Sequence, residues 1–273
     1  MNDLEKYLWD RDGHLVLRGA LNSSEVEALR EAIRGGRAGL RRSACGSAYR
    51  GLMAVHEPLR AAFSSLAVHP AVVERLNTMC RPGFRLDGEP ILVDREGDQP
   101  SHLCSSNSKG YDRATSYHYQ NGHFLSGCVA VYWMLSSHDE GEATFVYEAG
   151  THKVLCSDPR EDGARSLDSS VSLHPGDVWF AMHGALRYVE RGGAPLQCIR
   201  YSFVPRSTML EPPAAEIVEP EVWWGEARRP IIRQMTPEQR AVMFGPGSID
   251  DSRLGALVVD STGRVHLEYA RGA

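Results

Sequence analysis

A mainly β fold with flanking helices is predicted by three features of this sequence. Short segments of alternating or continuous apolar character crowd the stretch from about residue 84 to 206, and each is bounded by Gly, Pro, Asp or Ser. Helical periodicity is confined to the segment before that stretch and to a short run near the C-terminus. Six or more short strands behind a helical layer indicate a sandwich or barrel with helices packed outside it, not alternating βαβ units.

The elements follow in order. "HLVLRG" from His14 is an apolar extended run, and "NSSEVEALREAIRGG" offers Ser caps, periodic apolar positions and a glycine stop. Residues 35 to 51, polar and rich in Gly and Arg, read as a loop, and "HPAVVERLNTMC" from His69 as a second short helix. The strand candidates are "FRLDGEPILVD", "GCVAVYWML", "ATFVYEAG", "DSSVSLHPGDVWFAM" and "QCIRYSFVP"; within the fourth, "HPGDVW" has the turn chemistry of a tight connection. "TPEQRAVMF" is a short helix with Thr236 as N-cap and Pro237 at its first position. "ALVVDSTGRVHLEY" reads as a closing hairpin. There is no internal repeat, low-complexity tract or Gly-rich phosphate loop. One domain spanning 1–273 is expected, with a helical layer to about 83, a β core from about 84 to 206 and a tail from 207 to 273.

Composition narrows the function classes. The 273 residues are 42% hydrophobic and 24% charged with a net charge of −5, and the pI is near 6.1. A nucleic-acid binder would carry a basic face, so no nucleic-acid partner is expected, and no membrane partner either. No apolar run approaches the ~20 residues of a membrane helix, and "MNDLEKYLWDRDGH" is too charged for a secretory signal, so a cytoplasmic location is expected. The six cysteines, at 45, 80, 104, 128, 156 and 198, form no C-x-x-C pair and read as buried free thiols. The Ala-, Arg- and Gly-rich composition suggests a bacterial GC-rich genome.

The order of landmarks resembles the phytanoyl-CoA dioxygenase family of the Fe(II)/2-oxoglutarate oxygenase superfamily. "DGHLVLRGALNSSEVEALREAI" is similar to that family's opening strand and helix, "YHYQNG" falls where it places His-x-Asp, and "GEATFVYEAGTHK" where it has a PGSHK segment. "PGDVWFAMHGALRYVERGG" is similar to its distal-histidine segment, "IRYSFVPR" to its strand with the cosubstrate arginine, and "MTPEQRAVMFGP" to a common tail. The resemblance implies a double-stranded β-helix, that is, a jelly-roll or cupin-like barrel. It also implies an iron site of two histidines and a carboxylate, with open positions for 2-oxoglutarate and O₂.

Carried over residue by residue, the first ligand is His118, the carboxylate position is Gln120, and the distal histidine position is Tyr188. Two of the three ligands are thus replaced, giving a degenerate facial triad. Iron halogenases of the superfamily also lack the carboxylate, but there a small residue makes room for chloride, and Gln120 is too large for that. No cofactor is therefore expected, with Fe(II) and 2-oxoglutarate as the alternative; if iron binds, His118 is its first ligand. His123, Glu142, His152 and His183 were weighed as replacements. His123 takes the opposite face from His118 if the strand continues, and His183 is of opposite parity to Tyr188. His152 matches a structural family histidine.

Arg200 takes the place of the arginine that clamps the 2-oxoglutarate carboxylate; ligand binding and a salt bridge to an internal acid are both open readings. Without iron, His118, Gln120 and Tyr188 would form a catalytic set: an imidazole for proton transfer, with amide and phenol as donors to an oxyanion. Isomerisation, cyclisation or elimination of a small molecule bearing a carboxylate or carbonyl would fit, in natural-product biosynthesis. Arg200, Tyr117, His102 and Trp133 are the expected substrate contacts. The segment from His102 to His118 is a candidate lid, and "EVWWGEARRP" from Glu221 could cover the mouth or form a homodimer contact. The competing readings are an oxygenase with unusual ligands and a non-catalytic ligand-binding or partner subunit.

Overall fold

A computed structural model describes residues 1–43, 48–53, 59–95, 116–136, 145–154, 168–185, 187–189, 196–206, 234–243 and 255–269. It opens with a helix not foreseen from the sequence, α1 (Asp3–Asp12). The Asn2 side chain accepts the Glu5 N–H while the Glu5 carboxylate accepts the Asn2 N–H, a capping box that satisfies two otherwise unpaired donors. Gly13 ends it at φ 75°, and a Cβ there would lie 2.3 Å from His152 Nδ1, so only glycine fits. Strand β1 (His14–Leu17) follows, then α2 (Ser23–Gly36), whose cap is Asn22 rather than a serine, again in a box with Glu25.

The stretch expected as a loop contains two short strands, β2 (Arg41–Arg42) and β3 (Ala48–Arg50), which pair with each other. Helix α3 (Leu59–Leu66) was also missed; α4 (Pro70–Met79) lies where "HPAVVERLNTMC" placed it. Strands β4 (Arg85–Leu86), β5 (Ile91–Arg95), β6 (Tyr117–Gln120), β7 (His123–Ser126) and β8 (Val129–Met134) come next. They are followed by β9 (Phe145–Glu148), β10 (Asp168–Val171), β11 (Val178–Met182), β12 (Arg187–Val189) and β13 (Leu196–Val204). Helix α5 (Pro237–Met243) is capped by Thr236 as expected, and β14 (Ala256–Val259) pairs with β15 (Val265–Glu268) as the closing hairpin.

Among the described residues the large sheet runs β1-β11-β8-β13-β5-β3-β2, with β4 also on β13; β10-β9-β12 form a small sheet, and β6-β7 a hairpin. Every pairing is antiparallel. From β8 to β13 the chain passes from the large sheet to the small one (β9, β10), back (β11), across again (β12) and back (β13), as in a double-stranded β-helix. The link from β10 to β11 is the "HPGDVW" turn: Asp177 accepts N–H groups of Gly19 and His174 at 2.9 Å each, and Arg18 at 2.7 Å. Those bonds hold its carboxyl below the usual carboxylate range against the opposing effect of burial.

The large sheet separates two cores. Val129, Val131 and Trp133 of β8 and Ile199, Tyr201 and Phe203 of β13 join helices α2, α3 and α4 in one cluster. Ala130, Tyr132 and Met134, with Leu196 and Cys198, meet Phe145 and Val171 of the small sheet in the other. Strand alternation sends successive side chains to the two sides, and because both sides are covered, all six residues of β8 are buried. Cys80, Cys128 and Cys198 are buried and in no disulfide among the described residues, and the other cysteines lie outside those residues. No helix among the described residues is long and apolar enough to cross a membrane.

Candidate active site

Strand register orders the inner face of the large sheet into rows. His14 pairs with Ala181, Ala181 with Ala130, and Ala130 with Ser202. The Ser202 carbonyl accepts the Asp87 N–H at 2.7 Å, which continues the row past β4. The adjacent row is Val16, Trp179, Tyr132, Arg200 and Ile91. Directly paired residues share a face. One row therefore offers a floor of two alanines and a serine between His14 and Asp87, and the other sets Arg200 beside an aromatic wall. In that wall Tyr132 and Phe145 lie 5.0 and 4.8 Å from Trp179, centroid to centroid.

Arg200 is the odd member of this interior. It is half-buried, its Nε is buried without a hydrogen-bond partner, and it makes no hydrogen bond or ion pair among the described residues. An internal acid is close enough to be felt: burial pushes the Asp87 carboxyl up to about 6, against the pull of the Arg200 guanidinium. Yet the two form no salt bridge. Only its Nε is fully buried, and the planar fork of the guanidinium matches a carboxylate.

At the far end of the first row, burial lowers His14 to about 4, so the ring is neutral. Trp179 Nε1 donates to its Nδ1 at 3.3 Å, which leaves the ring proton on Nε2. That Nε2 is buried and has no acceptor. His14, Asp87 and Ser202 were passed over in the sequence. For His14 the signal was its parity with Val16 in "HLVL", a polar residue at an inward position; Asp87 and Ser202 gave none until β4 was paired with β13.

The hairpin that carries His118 and Gln120 turns at Asn121 and Gly122, both at positive φ (53° and 80°), the geometry of a two-residue Asn-Gly turn. Its register pairs His118 with Leu125 and Gln120 with His123. The expectation that His123 lies opposite His118 is thereby corrected: the strand does not continue but folds back, and His118, Gln120 and His123 share one face. All three are exposed. The other face is anchored. Phe124 is buried in the helix-side core, and Tyr117 donates its hydroxyl to Asp10 Oδ1 at 2.6 Å.

Burial and the Asp10 carboxylate push the Tyr117 phenol well above its ordinary value, so its hydroxyl stays protonated. The Tyr117 ring lies 4.6 Å from His152, which is 1% exposed, directs Nε2 at the Asp10 carbonyl oxygen (3.2 Å), and is lowered to about 4 by burial and Lys153. This cluster ties the hairpin and the "THK" turn to α1.

The remaining sites divide. Tyr188 is in β12 at the register position opposite Val146, on the face away from Phe145 and Tyr147 of the inner core, so register does not bring this position to the face that holds Arg200. Trp133 is fully buried against His69 on the helix side, the opposite face of the sheet from Arg200. Parity explains this: on β8 only the even-numbered residues face inward, so the inner wall is built from Tyr132. His183 is in the turn after β11. His102 and the candidate lid, Glu142, and the tryptophan-rich "EVWWGEARRP" lie outside the described residues.

Comparisons with known proteins agree with this fold. HygX from Streptomyces hygroscopicus, solved with nickel, 2-oxoglutarate and hygromycin B bound, superposes with a TM-score of 0.66 at 21% identity, over 80% of this chain and 95% of HygX. The chain has the fold of the 2-oxoglutarate oxygenases. Two further solved structures come from nogalamycin biosynthesis. The non-haem alpha-ketoglutarate-dependent carbocyclase SnoK matches at TM-score 0.56 and 16% identity, over 79% of this chain and 88% of SnoK. The epimerase SnoN, of the same dependence, matches at 0.54 and 18%, over 77% and 85%. No protein-family model and no curated protein matches the sequence.

These neighbours correct the expectation that no cofactor is used, since HygX has been solved with iron bound and with nickel and 2-oxoglutarate bound. The residues here fit the two groups unequally. Arg200, with its unpartnered buried Nε, suits a carboxylate such as that of 2-oxoglutarate. An imidazole, an amide and a phenol at positions 118, 120 and 188 do not reproduce two imidazoles and a carboxylate.

Proposed function

We propose that this protein is an enzyme that modifies a small molecule inside the barrel, with Arg200 seating a carboxylate of 2-oxoglutarate or of a similar anion. The unpaired guanidinium on the inner face carries this reading. Binding there would orient the anion along the row that holds Asp87, Ser202 and His14. The Asp87 carboxyl, pushed up to about 6, can hold or release a proton near the bound anion, and the His14 Nε2–H can donate to a substrate oxygen at the other end.

His118 and Gln120 on the hairpin are the residues we assign to the reacting part of the substrate, His118 to move a proton and Gln120 to donate a hydrogen bond. Rearrangement of a carbon skeleton or stereocentre, by isomerisation, cyclisation or elimination, is the reaction class favoured. Its support is that the same fold serves a carbocyclase and an epimerase. Biosynthesis of a bacterial natural product is the setting those neighbours suggest.

The test is calorimetric titration with 2-oxoglutarate. Wild type should bind, and Arg200→Ala should weaken binding by about 30-fold or more, the cost of removing one partner of a buried charge pair. Equal binding by both proteins would remove the anion seat. Assay for succinate separates the readings further: its formation would place the protein among enzymes that consume 2-oxoglutarate.

A further inference from the structure

We propose that His123, together with His118 and Gln120, forms a binding site for a divalent transition-metal ion on one face of the β6–β7 hairpin. The proposal shares His118 and Gln120 with the reaction centre above and is an alternative to the roles given them there, since an ion bound here takes up the His118 lone pair and the Gln120 amide oxygen; it needs neither Arg200 nor a bound anion.

The argument begins with register. The Asn121-Gly122 turn fixes Gln120 directly across from His123. Cβ atoms of such a pair are about 4.5–5.5 Å apart, and the diagonal neighbours, here His118 and His123, about 7–8 Å. Imidazoles at that separation can close on one ion, with metal–nitrogen bonds of about 2.0–2.1 Å for zinc. Gln120, between them in the register, can offer its amide oxygen as a third donor. Two neutral imidazoles and an oxygen suit iron, nickel, cobalt or zinc.

A slip of one residue would turn these donors to the other side, so what holds the register matters. Phe124 is 4% exposed in the helix-side core, and the Tyr117 hydroxyl is bound to Asp10 at 2.6 Å. Both belong to the opposite face of the hairpin. The donor face is thus kept open and away from the helical layer. The second imidazole that position 188 does not supply is present five residues after the first.

The experiment is titration of chelator-treated protein with Ni²⁺ alone, without 2-oxoglutarate, by calorimetry. One ion per chain is expected. His118→Ala and His123→Ala should each weaken binding by at least about tenfold, the lower end of what loss of an outer-sphere partner alone costs. Gln120→Asp, which adds a carboxylate among the donors, should tighten it. His266→Ala, at an exposed histidine on β15, should leave it unchanged, and circular dichroism checks that each variant is folded. Wild-type-like binding by His123→Ala, or no binding by wild type, would overturn the site. Arg200→Ala should retain Ni²⁺ affinity, so loss of 2-oxoglutarate binding in that variant bears on the anion seat alone.

Discussion

The two faces of β13 differ in how completely their groups are satisfied. Toward the helices, Ile199, Tyr201 and Phe203 are fully buried, the Tyr201 hydroxyl donates to the Phe63 carbonyl at 2.7 Å, and Phe203 packs edge-on against Phe84. Toward the small sheet, Cys198 is buried, but Arg200 and Ser202 are only half-buried and the Arg200 Nε has no partner. One strand thus serves stability on one side and keeps unspent polar capacity on the other. Buried polar groups are nearly always paired; several others among the described residues also lack a partner, Trp133 Nε1 on the helix side among them, so what marks Arg200 is that its group is charged and on the inward face.

Substitutions should separate the faces by size of effect. Phe203→Ala empties a packed position and should cost about 3–5 kcal/mol in chemical denaturation. A cost below about 1 kcal/mol would mean that the helix side is not the main core.

The next effect is one of pH. His14 and His152 titrate near 4 in the fold against 6.5 for the ordinary group. The unfolded chain therefore binds more protons between about pH 4 and 6.5, and both residues make stability rise with pH across that window. Asp87 acts in reverse: its carboxyl is raised from 3.8 to about 6, so its contribution falls as pH rises through that range. Asp87→Asn should accordingly gain stability relative to wild type between pH 4.5 and 7. Urea midpoints at the two pH values give the difference, and a constant offset would show that Asp87 does not feel the barrel interior.

The smallest change is expected at the residue of greatest functional interest. Arg200→Ala removes a charge that no described partner compensates, so stability should move by no more than about 0.5 kcal/mol in the absence of ligand. A large loss would reveal a structural ion pair and return Arg200 to the first of the two faces.

What the sequence made legible follows the same division. Strands β5, β8, β9, β10, β11 and β13 could be read because alternation and bounding turns are local signals, whereas the β6–β7 hairpin and β12 were not foreseen. Helix α1 was missed although its Asn2-x-x-Glu5 box is also local; with few apolar residues, it shows no strong stripe to catch the eye. Trp133 was expected to contact substrate, whereas parity on β8 sends it to the helices. The most consequential misreading was of "YHYQNGHF": Asn-Gly is among the strongest hairpin signals, and treating the strand as continuous put His123 on the wrong face. Asp87 and Ser202 could not have been paired from sequence, because their adjacency depends on a contact between β4 and β13 across more than a hundred residues.

A crystal structure of the protein soaked with 2-oxoglutarate tests the central claim most directly. The account predicts a carboxylate of the ligand at hydrogen-bond distance from the Arg200 guanidinium, about 2.7–2.9 Å for such charged pairs, on the face shared with Ser202 and Asp87. Density for the ligand elsewhere, with Arg200 closed onto Asp87 as an ion pair, would contradict it.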